Sequence, residues 1–159
     1  MKTLQQTTRR RTAAISVAIG LLTASGIAWA QSAAERAVDT RQSVLTVMGW
    51  NMAPLGAMAR GKMDFDQAVV AQNAERIAWM ATMLSDAFAM DTRGSGAESN
   101  ALDGIWEDPE DFAEKVAASE AAAKALVEAA AGDDVGAMRQ AIGGLGRTCG
   151  GCHDAYKAD

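Results

Sequence analysis

The sequence predicts an all-α fold, an antiparallel four-helix bundle. Apolar residues recur at helical spacing along most of the chain, and no segment alternates apolar and polar residues over the length of a strand. Turn signals divide the helical stretches into four helices with two short connections and one longer one, which is typical of a bundle. Residues 31–159 have a length that suits one domain with one core.

The first predicted helix carries one stripe of inward-facing positions, but a proline interrupts it. Pro54 removes one backbone hydrogen bond and clashes with the carbonyl group four residues before it. Because the stripe continues beyond Pro54, we expect a kink near residues 49–54 and not a break. Gly61 is expected to end the helix. The stripe consists of Arg41, Leu45, Met48, Met52, Leu55 and Ala59.

The second helix is predicted to begin after Asp64. This residue would be the N-cap, and Gln67 three residues later completes an arrangement that resembles a capping box. The predicted stripe of this helix is Val70, Asn73, Ile77, Met80, Leu84 and Phe88. Glycine-containing turn signals then make residues 91–107 the long connection.

The third and fourth helices are joined by a short turn at residues 132–134, so we expect them to pack as antiparallel neighbours. Pro109 occupies the first position of the third helix, where proline is favoured. The predicted stripe of the third helix is Phe112, Val116, Ser119, Ala123, Leu126 and Ala130. That of the fourth is Val135, Met138, Ile142, Leu145, Cys149, Cys152 and Tyr156.

Residues 1–30 are predicted to be a secretory signal peptide that is cleaved. Basic residues precede a short apolar run at 13–24, and Ala28-Trp29-Ala30 matches a cleavage site that would leave Gln31 as the first residue. An uncleaved membrane anchor is the alternative, but the apolar run is shorter than the ~20 residues that a spanning helix needs. We therefore expect a periplasmic protein without a membrane anchor.

Removal of this segment makes the protein strongly acidic. The formal net charge of the whole chain is −5, and residues 1–30 contain four basic residues and no acidic ones, so the remainder has a net charge of −9. An acidic surface disfavours nucleic acids and anionic membranes. It is compatible with basic protein partners.

The motif Cys149-Gly150-Gly151-Cys152-His153 is the strongest functional signal, and it contains every cysteine and histidine of the chain. The pattern C-x-x-C-H indicates covalent attachment of a c-type haem. A redox dithiol is less favoured, because that motif belongs near a βαβ pattern. A structural zinc site is also disfavoured, because it needs four ligands and these residues supply three.

The chain resembles the cytochrome c' family over roughly residues 36–157. The resemblance lies in residues 41–45 and 48–52, in Gly104-Ile105-Trp106 before the third helix, and in residues 149–156. It implies one haem c per chain, with Cys149 and Cys152 as thioethers and His153 as the axial ligand of the iron. The family often has arginine four residues after this histidine, where this chain has Lys157.

The resemblance also assigns roles on the first helix. Leu45 matches the apolar residue that covers the sixth coordination position of the iron. Arg41, one turn earlier, matches an arginine that contacts a haem propionate, and Gln42 lies beside it. The resemblance further suggests a homodimer, to which Trp50 and Trp79 would contribute, although both could instead pack within one chain.

The sixth ligand decides the expected function. No second histidine exists, Leu45 has no lone pair, and Met48 and Met52 are interpreted as core residues. These features predict a five-coordinate, redox-active haem protein that binds small diatomic gases, most plausibly nitric oxide and also carbon monoxide. The alternative is an electron-transfer cytochrome with a methionine ligand and a redox protein partner. An enzyme of the peroxidase type is not expected, because the distal stripe offers no acid-base group.

Overall fold

The computed structural model describes residues 31–158, and within that range it contains six helices and no strand. Four long helices form the bundle, and two short helices lie between the second and third of them, the first before the predicted long connection at 91–107 and the other within it. The predicted signal peptide lies outside the described residues. The helices are α1 (Ala33–Ala59), α2 (Gln67–Ala81), α3 (Leu84–Phe88), α4 (Gly104–Glu107), α5 (Pro109–Ala130) and α6 (Val135–Tyr156).

Helix α1 begins with a capping box and runs through its proline without interruption. The Ser32 hydroxyl accepts a hydrogen bond from the Glu35 N–H, and the Glu35 carboxylate accepts one from the Ser32 N–H. Pro54 lies inside the helix, so the expectation that the proline would not break it is confirmed. Gly61, with φ of 68°, follows the helix in the left-handed region that glycine adopts most readily.

Helix α2 begins two residues later than the sequence predicted. Asp66, and not Asp64, is the N-cap, because its carboxylate accepts hydrogen bonds from the N–H groups of Ala68 and Val69. The predicted stripe is divided between two helices. Its first members lie on α2, which ends at Ala81, whereas Leu84 and Phe88 lie on α3.

Helix α5 agrees with its predicted stripe at all six positions. The Asp108 carboxylate caps its N-terminus and Pro109 is its first residue. The buried residues of α5 are Phe112, Val116, Ser119, Ala123, Leu126 and Ala130. In α6, the predicted stripe is wrong at its first position, since Val135 directly follows the Asp134 cap and is 41% exposed.

The four long helices pack in a ring, with α1 against α2 and α6, and α5 against α2 and α6. Two contacts show that α1 and α6 are antiparallel. Arg139 on α6 donates hydrogen bonds to the carbonyl groups of Met58 and Ala59, and a Cβ added at Gly146 would lie 3.6 Å from Met52 Cε. Residue numbers therefore rise along α6 as they fall along α1. No helix between residues 31 and 158 is long and apolar enough to cross a membrane.

Candidate haem-binding site

The two cysteines lie on the side of α6 that packs against the core. Cys149 and Cys152 are half-buried, whereas His153 is exposed. Burial raises the pKa of both thiols. Since burial moves these values further above neutral, both thiols are protonated at neutral pH.

The antiparallel register between α1 and α6 brings Leu45 to the level of the motif. Met52 packs beside Gly146, Leu45 lies seven residues before Met52, and Cys152 and His153 lie six and seven residues after Gly146. Each residue of a helix adds ~1.5 Å along the helix axis, so the distance from Met52 to Leu45 along α1 equals that from Gly146 to His153 along α6. Leu45 is 37% exposed, so it is an apolar side chain at the level of the motif that the rest of the protein covers only in part.

Arg41 is more enclosed than the sequence predicted, with only 2% of its surface exposed. Its guanidinium stacks on the rings of Phe88 and Trp106, 4.6 Å and 5.1 Å from their centroids. It also donates hydrogen bonds to the Ala87 and Met90 carbonyls and to the Thr92 hydroxyl, at 3.3–3.4 Å. Burial lowers the pKa of Arg41, although an arginine remains charged.

All of these acceptors are neutral. No carboxylate among residues 31–158 forms an ion pair with Arg41, whereas Arg93 and Lys115 both have acidic partners. A buried cation needs compensating partners, which here are aromatic rings and neutral oxygens. A haem propionate would add a negative charge, and no carboxylate of residues 31–158 competes for it, so this site is compatible with the role that the resemblance implies for Arg41.

Gln42 lies beside a polar cleft of about 870 Å³ between the start of α1 and residues 96–100. Its side-chain amide donates a hydrogen bond to the Glu98 carbonyl at 3.4 Å. The carboxylates of Glu35, Asp39 and Glu98 also line this cleft. Arg41 and Gln42 are adjacent in sequence but point to different surroundings, one buried and one exposed.

A second, smaller depression of about 430 Å³ adjoins His153. It is lined by Leu102, His153, Asp154, Lys157 and Ala158. Lys157 Nζ donates to the Ala158 carbonyl at 3.1 Å. The lysine therefore bonds to a backbone group, and it lacks the planar fork that an arginine would bring to this position.

The contact that holds the end of α6 could not be predicted from the sequence. The Tyr156 hydroxyl donates a hydrogen bond to the Asp111 carboxylate on α5, and Asp111 lies 3.5 Å from Lys115 Nζ. This bond lowers the pKa of Asp111 and raises the pKa of Tyr156 to about 12. The two residues are 45 positions apart, and nothing in their local patterns relates them.

The cysteines, Leu45 and Arg41 together fit a covalently attached haem. Two half-buried thiols lie on one helix face, a partly exposed leucine on α1 lies at their level, and a buried guanidinium lacks an acidic partner in the described part of the chain. Gln42 and Lys157 are close to this region, but each bonds to a backbone carbonyl.

Comparison with known sequences agrees with this fit. A family model described as Cytochrome C' matches residues 36–157. Cytochrome c-554 of Cereibacter sphaeroides is 36% identical over 125 residues, which cover 77% of this chain and 93% of that protein. Cytochrome c' of Halomonas halodenitrificans is 36% identical over 129 residues, which cover 79% of this chain and 98% of that protein.

Solved structures show the same relationship. Cytochrome c' from Shewanella frigidimarina matches with a TM-score of 0.74 and 34% identity, over 82% of this chain and all of that one. A ferrous variant of cytochrome c' from Alcaligenes xylosoxidans with bound nitric oxide matches with a TM-score of 0.72 and 31% identity, over 82% and 99% of the two chains. Proteins of this family carry covalently bound haem c with its iron. The family match over residues 36–157 and the agreement in fold show that this chain belongs to the cytochrome c' family.

Proposed function

We propose that this protein is a periplasmic haem c protein that binds small diatomic gases, most plausibly nitric oxide and also carbon monoxide. Cys149 and Cys152 form the thioethers, and His153 is the axial ligand. The bound haem supplies a redox-active iron that can take a diatomic ligand at an open axial position. The observation that carries the proposal is the position of Leu45, an apolar side chain without a lone pair, at the level of the haem-attachment motif.

Leu45 gives the sixth position its selectivity. A hydrocarbon side chain offers no hydrogen bond, so bound oxygen gains no stabilisation from it, whereas nitric oxide and carbon monoxide need a donor less. It also disfavours charged ligands, because an unpaired charge is costly in apolar surroundings. A solved relative with bound nitric oxide supports this choice of ligand.

Arg41 and Gln42 are proposed to hold the propionate side of the haem. The buried Arg41 guanidinium would pair with one carboxylate, while its stacking on Phe88 and Trp106 keeps it in place. Gln42 lies at the edge of the neighbouring polar cleft, where its amide can exchange the Glu98 carbonyl for a propionate oxygen.

Substitution of Leu45 tests this assignment. Leu45→Met places a thioether over the proposed sixth position, and we expect the ferrous absorption spectrum to become that of a six-coordinate haem. Val47→Met is the matched control, since Val47 lies on the same helix and is 46% exposed. If both variants kept the wild-type spectrum and the wild-type response to carbon monoxide, Leu45 would not cover the iron.

Electron transfer through a methionine-ligated haem is the second candidate. The α1–α6 register places Met48 near the level of Cys149 and Gly150. Met48 is 9% exposed and is part of the hydrophobic core, which favours a packing role. Met48→Leu separates the two functions, because this change preserves the spectrum of a five-coordinate haem but would abolish that of a methionine-ligated one.

The cellular context rests on the predicted leader. Cleavage after Ala30 would release a periplasmic protein with a net charge of −9, suited to a basic redox partner. N-terminal sequencing of the exported protein tests this, with Gln31 as the expected first residue. We propose no enzymatic activity, because Leu45 cannot transfer protons to a bound ligand.

A homodimer is proposed through the outer faces of α1 and α2. Trp50 is 68% exposed and Trp79 is 74% exposed. Trp50 lies on α1 and Trp79 on α2, and these two helices pack against each other. Exposed indoles are typical of interfaces. Sedimentation should give a dimer for the wild type and a monomer for Trp50→Ala/Trp79→Ala.

A further inference from the structure

We propose that Tyr156 is a positioning residue for the axial ligand His153. The inference rests on the proposed role of His153 and adds a residue to it. The His153 side chain is exposed, so packing does not fix it. Its position depends instead on the last turn of α6, and helix ends tend to fray unless they are held. Tyr156 is the last residue of that helix and is only 8% exposed.

The side chain of Tyr156 attaches this turn to two other helices. Its hydroxyl donates to the Asp111 carboxylate on α5, and its ring meets that of Phe112 edge-on, with centroids 5.3 Å apart and an angle of 82°. A Cβ added at Gly104 would lie 3.4 Å from Tyr156 Cε1, so the ring also packs directly on α4.

The backbone around Tyr156 adds a second attachment. The Tyr156 carbonyl accepts a hydrogen bond from the Leu102 N–H at 2.9 Å, and the Ala158 N–H donates to the Asn100 carbonyl at 2.8 Å. Ala101 and Lys157 form an isolated antiparallel bridge between these two bonds. The segment before α4 is thus joined to the end of the haem helix.

His153 lies between two points that are held against the rest of the bundle. Cys152 precedes it by one residue, is half-buried and packs against the hydrophobic core. Tyr156 follows it by three residues and bonds to Asp111. Because both ends of this turn are held against the bundle, the backbone that carries the imidazole has a defined height and rotation relative to the cysteines. We infer that this restraint sets the geometry of the bond between His153 and the iron.

Tyr156→Phe tests the inference, because it removes the hydroxyl and keeps the ring. The first measurement is amide hydrogen exchange of residues 152–158 in the ferric holoprotein, which does not require an open sixth position. We expect exchange in Tyr156→Phe to be about tenfold faster, since hydrogen bonds to charged groups are among the stronger ones. The second is the iron–histidine stretching band of the ferrous protein by resonance Raman spectroscopy, which should shift or broaden.

Ser119→Ala is the matched control. It also removes the hydroxyl of a buried residue, but this hydroxyl donates to the Lys115 carbonyl within α5 and not to a group of α6. We expect Ser119→Ala to leave both measurements unchanged, and Asp111→Asn, which keeps an acceptor, to give an intermediate effect. The inference would be overturned if Tyr156→Phe left the amide exchange and the iron–histidine band unchanged, or if Ser119→Ala changed them equally. A six-coordinate ferrous spectrum would overturn the proposed gas binding instead, and the exchange measurement would still decide the role of Tyr156.

Discussion

Met52 on α1 packs beside Gly146 on α6, where a Cβ added to the glycine would lie 3.6 Å from the methionine Cε. This contact, together with the hydrogen bonds from Arg139 to the end of α1, defines the register between the first and last long helices. That register places Leu45 level with Cys152 and His153. The function proposed for the protein depends on it.

Gly146→Ala should stabilise the protein. The added Cβ would make an ordinary van der Waals contact with Met52, and alanine favours a helix interior over glycine by about 1 kcal/mol. Gly49→Ala provides the comparison, because Gly49 lies in α1 with nothing within 4 Å of an added Cβ. Denaturant unfolding should show a higher free energy of unfolding for both variants than for the wild type. A loss confined to Gly146→Ala would mean that α1 and α6 lie closer together than described.

Asp66→Ala should destabilise the protein by about 1 kcal/mol, the typical cost of losing an N-cap. The Asp66 carboxylate accepts two backbone hydrogen bonds at the start of α2, at 2.9 Å and 3.1 Å. The neighbouring Asp64→Ala should leave the free energy of unfolding nearly unchanged, because helix α2 begins after Asp66. A larger loss of stability in Asp64→Ala than in Asp66→Ala would show that Asp64 is the N-cap.

The phenol of Tyr156 should titrate near pH 12 and not near its ordinary pKa of 10.0. The hydrogen bond to Asp111 raises this pKa in the folded state. The contribution of the bond to stability is therefore fully present below about pH 10 and is lost as the pH rises through about 12. Tyr156 is the only tyrosine, so subtraction of the Tyr156→Phe spectrum isolates its phenolate absorbance. A midpoint near 10 would show that the bond to Asp111 does not persist in solution.

The pKa of Asp111, the acidic partner of this bond, shifts in the opposite direction. The hydrogen bond from Tyr156 lowers the pKa of Asp111. Its contribution to stability is present above the ordinary carboxyl pKa, about 3.9, and is lost as the pH falls through the lower pKa of the folded state. The difference in unfolding free energy between wild type and Asp111→Asn should therefore shrink at acidic pH.

The sequence predicted those parts of the fold that depend on local patterns. The stripe from Phe112 to Ala130 was confirmed at every position, because Asp108 and Pro109 fix the start of α5 and its period is unbroken. The start of α2 was wrong, since Asp64 and Asp66 are both plausible caps. Only the reach of each carboxylate to the free N–H groups distinguishes them.

The long-range contacts of the site could not be read from the sequence. The family resemblance, together with its position on the stripe, singled out Arg41, but its enclosure by Phe88 and Trp106 depends on how the chain between α2 and α5 folds back. The bond between Tyr156 and Asp111 joins α5 and α6, and no local sequence pattern in either helix indicates that these two residues meet. The motif at residues 149–153 identified the cofactor, because covalent haem attachment needs those residue types at that spacing.

The visible absorption spectrum of the ferrous protein, recorded before and after addition of carbon monoxide, decides whether the sixth position of the iron is open. We expect a broad high-spin spectrum that shifts when the gas is added, as an open sixth position beside Leu45 requires. A sharp six-coordinate spectrum that does not respond to the gas would rule out an open sixth position. It would mean that a methionine such as Met48 binds the iron and that the protein is an electron carrier.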